Sequence, residues 1–419
     1  MTLFELLAVL TTATAALSWA NYRFVKLPTT IGLLILALLG SLGIVLAGRA
    51  GLLDLSELTR FVESLEFDDA LLNGMLGALL FAGALHMRID KLRVHARLIA
   101  VLATLGVVMC AALVAGAMWL LFHSIGFPVP MAWCLVLGAL IAPTDPIAVG
   151  AILGKVGVPK SLSALISGES LFNDGVAVVL FLVLVGLAAG TESATAVHIV
   201  ELFAIEVGGG LAFGGLLGWL ATRMMRSVDQ YQLEILLTLA VVTGGYALAQ
   251  RLHISGALAM VVAGLMIGST GRATAMSLVT QERLDEFWEL IDEFLNAVLF
   301  VLIGIEVVIV DFRTSFLVAG LLGFPIVLLA RWLSVGLPLV VMRRRVAAQP
   351  GTLTILTWAG LRGGISVALA LSLPPSEYRS LILTVTYVIV CLSIVGQGLT
   401  VGAVVQRVLR TAEASDQRA

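Results

Sequence analysis

A chain of 419 residues that is 60% hydrophobic and only 12% charged is not a soluble globular protein, in which about a quarter of residues carry charge. Its mean hydropathy of +1.07 points instead to an all-α polytopic membrane protein. The formal net charge of −2 says nothing about partners, no nucleic acid is expected, and Cys110, Cys134 and Cys391, odd in number and all in apolar segments, have neither a disulfide pattern nor a metal spacing.

Apolar runs near the ~20 residues needed to cross a hydrocarbon core occur thirteen times, at 3–20, 27–48, 70–87, 97–122, 129–153, 161–189, 197–222, 231–250, 254–270, 290–310, 315–342, 351–374 and 380–408. The first run lacks a basic flank and a small-residue cleavage site, so it reads as a retained helix rather than a signal peptide. Between spans two and three lies an acidic loop with Asp54, Glu57, Glu63, Glu66, Asp68 and Asp69. Residues 272–293, with Leu284, Phe287, Trp288 and Ile291 at helical spacing, predict an interfacial helix on the inner surface leading into span ten. Eighteen of the 25 Lys and Arg residues fall in alternate connecting segments, against five in the others, while Arg331 and Arg362 lie inside spans. The positive-inside rule then puts the N-terminus outside and the C-terminus in the cytoplasm, and the expected location is the cell (inner) membrane.

An internal repeat organises the spans. Leu27-Pro-Thr-Thr-Ile-Gly32 in span two matches His253-Ile-Ser-Gly256 in span nine, and Leu80-Phe81-Ala82-Gly83 in span three matches Leu299-Phe300-Val301-Leu302-Ile303-Gly304 in span ten. Both offsets are seven spans. An odd offset inverts one copy across the membrane, so residues 3–189 and 231–408 form an inverted repeat of six plus six helices, with 197–222 as linker and 409–419 as a short tail. Such repeats place a substrate site at the midplane between discontinuous helices. Ala142-Pro143-Thr144-Asp145-Pro146 breaks span five, because its prolines deny the backbone regular helix bonding. The offset then predicts a second break in span twelve, at Gly360-Leu361-Arg362-Gly363-Gly364.

Charges buried in such spans are costly and mark ion or proton paths. Asp174 sits mid-span in the sixth helix with Ser170 one turn before it, and Glu169 and Asn173 are their neighbours. A carboxylate, a hydroxyl and an unwound carbonyl are hard donors that suit Na+ or Li+. Asp174 holds a proton or a cation but not both, which suffices for exchange. The set Asp145, Glu169 and Asp174 against Arg331 and Arg362 sums to −1 if all are charged, so one monovalent ion neutralises it. Asp145 is expected to compensate the positive ends of the broken helices and Arg362 the negative ends. Glu169 is expected to form a buried ion pair with Arg331. One titrating carboxylate predicts one proton per cation and no net charge moved. No phosphate loop is present, and neither a cofactor nor an enzymatic reaction is expected. An intramembrane aspartyl protease, the reading from another class, needs two facing aspartates but gives no role to the third carboxylate, the two arginines or the repeat.

At Thr144-Asp145-Pro146, Gly168-Glu-Ser-Leu-Phe-Asn-Asp174 and Gly360-Leu-Arg-Gly-Gly364, the chain resembles the monovalent cation:proton antiporter-1 family, and most closely its NhaP-like sodium/proton antiporters. The resemblance implies a thirteen-helix fold, a six-helix core that carries the ion, and a homodimer held by the other domain. It implies Asp174 as cation and proton carrier, with Ser170 and Thr144 as further sodium ligands and Asp145 supporting the ion through water. Asn173 completes the Asn-Asp pair that accompanies electroneutral exchange, and Glu169 matches the glutamate paired with the span-eleven arginine. Some relatives carry a carboxylate on the third helix where this chain has Ala82. Sodium or lithium is the expected cation, and a potassium/proton antiporter of the same fold is the alternative.

Overall fold

The structure, a computed structural model, describes residues 3–51, 74–145, 158–190, 196–305, 307, 313–342 and 351–416. The acidic loop between spans two and three and the part of span five beyond Asp145 lie outside the described residues. The helices are α1 (Leu3–Ala20), α2 (Thr29–Arg49), α3 (Leu76–Leu85), α4 (89–124, with a π turn at Leu102–Gly106), α5 (Met131–Ile141), α6 (Lys160–Ala188) and α7 (Ala196–Met225). They continue with α8 (Tyr231–Arg251), α9 (256–275, with a π turn at Ile267–Gly271), α10 (Leu278–Ile305) and α11 (Thr314–Met342). The last are α12a (Thr352–Ala359), α12b (Gly364–Leu371) and α13 (379–416, with a π turn at Ser393–Gln397). Each predicted span contains one of these helices. By length and hydropathy alone, eight of the described helices cross a membrane, nine if the bent pair α12a and α12b counts as one, so this criterion counts fewer crossings than the thirteen expected. The chain is a multi-pass membrane protein.

The division between α8 and α9 is local. His253 takes a left-handed conformation with φ of +53°, and the Ser255 hydroxyl accepts from the Leu258 amide at 3.2 Å to cap the new helix.

Two helix pairs follow the pairing that an inverted repeat requires. With span two matched to nine and three to ten, a contact between α2 and α10 requires its counterpart between α9 and α3, and both are extensive. Small residues set their closeness, as is usual where lipid offers no hydrophobic drive to pair helices. A Cβ at Gly304 of α10 would lie 2.3 Å from the Ala37 Cβ of α2, and one at Gly268 of α9 would lie 2.1 Å from the Leu85 carbonyl oxygen of α3. The linker helix α7 rests on α9 through Gly210, Gly214 and Gly218, one per turn.

The expected interfacial helix over 272–293 is not one. Residues from 278 onward belong to the continuous α10, and Leu284 and Trp288 are fully buried. The Trp288 ring lies 4.8 Å from that of Phe81 on α3, and its indole N–H donates to the Thr238 hydroxyl of α8 at 3.0 Å. Apolar residues at helical spacing describe a face without saying what covers it; here the cover is protein, and Thr238 removes the cost of burying the indole N–H.

The helix contacts make one prediction. Gly268→Ala forces its new Cβ against the Leu85 carbonyl and should destabilise the protein by ~1–3 kcal/mol. Gly244→Ala, where nothing lies within 4 Å, should be neutral or stabilising. Apparent melting temperatures of the two variants in detergent distinguish the cases; equal values would contradict the packing described.

Candidate cation-binding site

Helix α5 stops at Ile141, because Pro143 has no amide to donate, and Ala142–Asp145 is non-helical. Helix α12a stops at Ala359 and α12b restarts at Gly364 with a 45° change of direction. The two breaks cross, and the Asp145 amide donates to the Leu361 carbonyl at 2.8 Å.

The ends left by the breaks meet opposite charges. The Arg362 guanidinium is buried and donates from one nitrogen to the Ala142 carbonyl at 2.6 Å and the Pro143 carbonyl at 3.0 Å, at the C-terminal end of α5. Its other terminal nitrogen lies 3.6 Å from the Cys110 sulfur. The Asp145 side chain lies over the start of α12b, where a Cβ on Gly363 would be 2.5 Å from Asp145 Oδ2; only glycine admits the carboxylate there. The π turn of α13 braces this crossing. It brings the Ser393 hydroxyl to the Arg362 amide at 2.8 Å, and Gln397 to both Ser393 and the Trp358 carbonyl. A π turn aims side chains that a regular helix would carry elsewhere.

Helix α6 presents Glu169, Ser170, Asn173 and Asp174 to the crossing, all less than 4% exposed. Arg331 on α11 donates to the two oxygens of Glu169 at 2.8 and 2.7 Å. Gly360 leaves room for this guanidinium, since a Cβ there would lie 2.8 Å from Arg331 Nε. Asn173 ties the pair to the broken helix. Its amide nitrogen donates to Glu169 Oε1 at 3.0 Å and to the Thr144 hydroxyl at 2.7 Å, and its oxygen accepts from the Thr144 amide at 3.3 Å. The Thr144 and Ser170 hydroxyls lie 2.9 Å apart.

Beside this network is a cavity of about 50 Å³, lined by Thr144, Asp145 and Asp174 and closed by residues of α3, α10 and α12b. That volume accommodates a small ion with a few waters. Of the residues singled out in the sequence, Thr144, Asp145 and Asp174 line it. Ser170, Asn173, Glu169, Arg331 and Arg362 do not, and they form the frame that holds Thr144 in place. Two polar lining residues were not singled out: Asn296 of α10, whose amide nitrogen is engaged by Asp292 at 2.7 Å, and Ser366 of α12b. Ser366 had a signal, being a hydroxyl just beyond the predicted break. Asn296 had only its polarity in an apolar span. Helix α3 offers Leu79, Leu80 and Gly83 to the cavity and no oxygen-bearing side chain; Ala82 is fully buried elsewhere.

The Glu169–Arg331 pair yields a prediction of its own. Glu169→Gln leaves the Arg331 charge buried with a neutral partner, a loss of ~3–5 kcal/mol for a pair this dry. The apparent melting temperature in detergent should fall steeply while the sodium concentration for half-maximal response changes little. An intact melting temperature with a large loss of sodium response would instead put Glu169 among the ligands.

Comparison with known proteins agrees with this architecture. The pattern of the transmembrane sodium/hydrogen exchanger family matches residues 9–407. The chain is 46% identical over 413 residues to the Na+/H+ antiporter NhaP of Pseudomonas aeruginosa, covering 96% of each. It is 34% identical over 349 residues to the Na+/H+ antiporter NhaG of Bacillus atrophaeus, covering 81% of this chain and 64% of that protein. In fold it is similar to the sodium proton antiporter MjNhaP1 of Methanocaldococcus jannaschii, with a TM-score of 0.75 at 19% identity, covering 97% of this chain and 98% of that one. A family pattern that spans residues 9–407 and a relative 46% identical over 96% of each chain make this chain a member of the sodium/hydrogen exchanger family.

Proposed function

We propose that the protein is a secondary active sodium/proton antiporter that exchanges one cation for one proton by alternating access. The observation that carries the proposal is Asp174, a buried carboxylate whose Oδ1 has no hydrogen-bond partner, facing a cavity at the crossing of two broken helices. A buried ionised carboxylate with an oxygen left unsatisfied is costly, and either a proton or a cation removes that cost. The other charges nearby are already answered: Glu169 by Arg331, Arg362 by two carbonyls, and Asp145 by its place at the start of α12b. One unit of positive charge therefore makes the site neutral in both loaded forms, and a neutral site crosses a low-dielectric barrier far more readily than a charged one.

In this mechanism Thr144 and Asp145 supply further oxygens to the cation, Asp145 through water. Ser170 and Asn173 act through Thr144, whose hydroxyl and amide they hold. The names of the relatives described above favour sodium, with lithium as a chemical neighbour, over potassium. The charge bias of the connecting segments favours an N-terminus outside and a C-terminus in the cytoplasm of the cell's inner membrane. The family resemblance favours a homodimer.

Asp174→Ala should abolish cation-driven proton movement in proteoliposomes that carry an imposed proton gradient; retained activity would remove Asp174 from the centre of the mechanism. Adding Na+, Li+ or K+ with and without a clamp on membrane potential tests stoichiometry, since one-for-one exchange is unaffected by the clamp. A single shared carboxylate also sets a pH dependence. Protons compete with sodium, so the apparent KM for sodium should rise as pH falls, by roughly tenfold per unit once the protonated form predominates. A KM independent of pH throughout would mean that proton and cation occupy separate groups.

A further inference from the structure

Two residues that each carry a buried oxygen without a hydrogen-bond partner line the same cavity from different helices. One is Asp174 Oδ1 on α6 and the other is the Ser366 hydroxyl on α12b, and both residues line the cavity between the breaks. Ser366 is 1% exposed. A buried hydroxyl that bonds to nothing costs free energy, and in native proteins it ordinarily means that a water or an ion completes the site. Among the described residues Ser366 Oγ has no hydrogen-bond partner, not even the bond back to the preceding turn that is the usual outlet for a serine in a helix.

We infer that Ser366 supplies a hydroxyl ligand from the second broken helix to the cation held by Asp174. The inference rests on the antiport reading above and deepens it. Hydroxyl oxygens are hard donors that suit a small monovalent cation. On α3 the lining residues Leu79, Leu80 and Gly83 bring no side-chain oxygen to the cavity. Asn296 commits its amide nitrogen to the carbonyl and the carboxylate of Asp292. A site with donors on both α6 and α12b is assembled only when the two breaks are in register, so cation binding reports on how the repeats are positioned.

The test uses the full-length protein in proteoliposomes, with Ser366→Ala, Ser366→Thr, Asp174→Ala and the parent chain in parallel, and NaCl, LiCl or choline chloride as probes. Loss of one hydroxyl ligand should raise the apparent KM for sodium roughly fivefold with little change in maximal rate. It should change the sodium-to-lithium ratio, and Ser366→Thr should restore both. The rise in melting temperature produced by NaCl over choline chloride should shrink in Ser366→Ala, while the value in choline chloride stays at that of the parent. Unchanged KM and selectivity in an active Ser366→Ala protein would overturn the inference. If Ser366→Ala is inactive, the sodium-induced rise in melting temperature decides. A preserved rise overturns the inference. A lost rise supports it when Ser366→Thr recovers the response, and overturns it when Ser366→Thr does not. A parent chain without sodium-dependent exchange would fell the antiport reading itself, an outcome separate from a failure of Ser366 alone.

Discussion

A helix that stops inside a bilayer leaves amide and carbonyl groups that lipid cannot satisfy, and this constraint arranges the rest of the structure. The two broken helices answer it with each other. The Asp145 amide reaches the Leu361 carbonyl, and Arg362 collects the last carbonyls of α5. The price is a buried guanidinium, with the Cys110 sulfur beside it, while the Ser393 hydroxyl accepts from the Arg362 backbone amide. Without the crossing there would be neither an unwound segment to bring Thr144 into the cavity nor a cavity.

Around that crossing, three carboxylates that resemble one another in sequence acquire different tasks. Glu169 is fixed by two hydrogen bonds from Arg331 and a third from Asn173. Asp145 sits at the opening turn of α12b. Asp174 alone keeps an oxygen turned to nothing. The difference comes from partners rather than from burial. Asn173 spends its polar atoms on Glu169 and Thr144, and so ties the ion pair to the broken helix.

Packing explains how such a site could move without coming apart. Contacts such as Gly268 on Leu85 and Gly304 on Ala37 hold backbone against backbone through small residues, a geometry in which helix pairs behave as stiff units. The site, by contrast, draws its groups from α5, α6, α10 and α12b, so a shift between stiff units changes its geometry directly. Alternating access by rigid-body motion of repeats around a fixed site has this requirement.

Much of this was legible in the chain alone. Apolar run lengths located the helices, proline and glycine marked both breaks, and the seven-span offset tied one break to the other. These features are local or periodic, and each has a physical signature within a short window. What a face touches is not local. Leu284 and Trp288 had the spacing of an interfacial helix, yet the Phe81 ring and the Thr238 hydroxyl bury them. The same limit applied at the site. Sequence placed Ser170 and Asn173 one turn from their neighbours on one face of α6, but only the fold turned their polar atoms toward Thr144 and away from the cavity. Ser366 and Asn296, distant in the chain from Asp174, reach its cavity because the repeats cross. The sequence by itself determined the membrane class, the two breaks and the charges that must be neutralised. Tertiary structure decided which oxygens are already satisfied and which remain open to an ion, because hydrogen bonds between distant segments are made only when those segments meet.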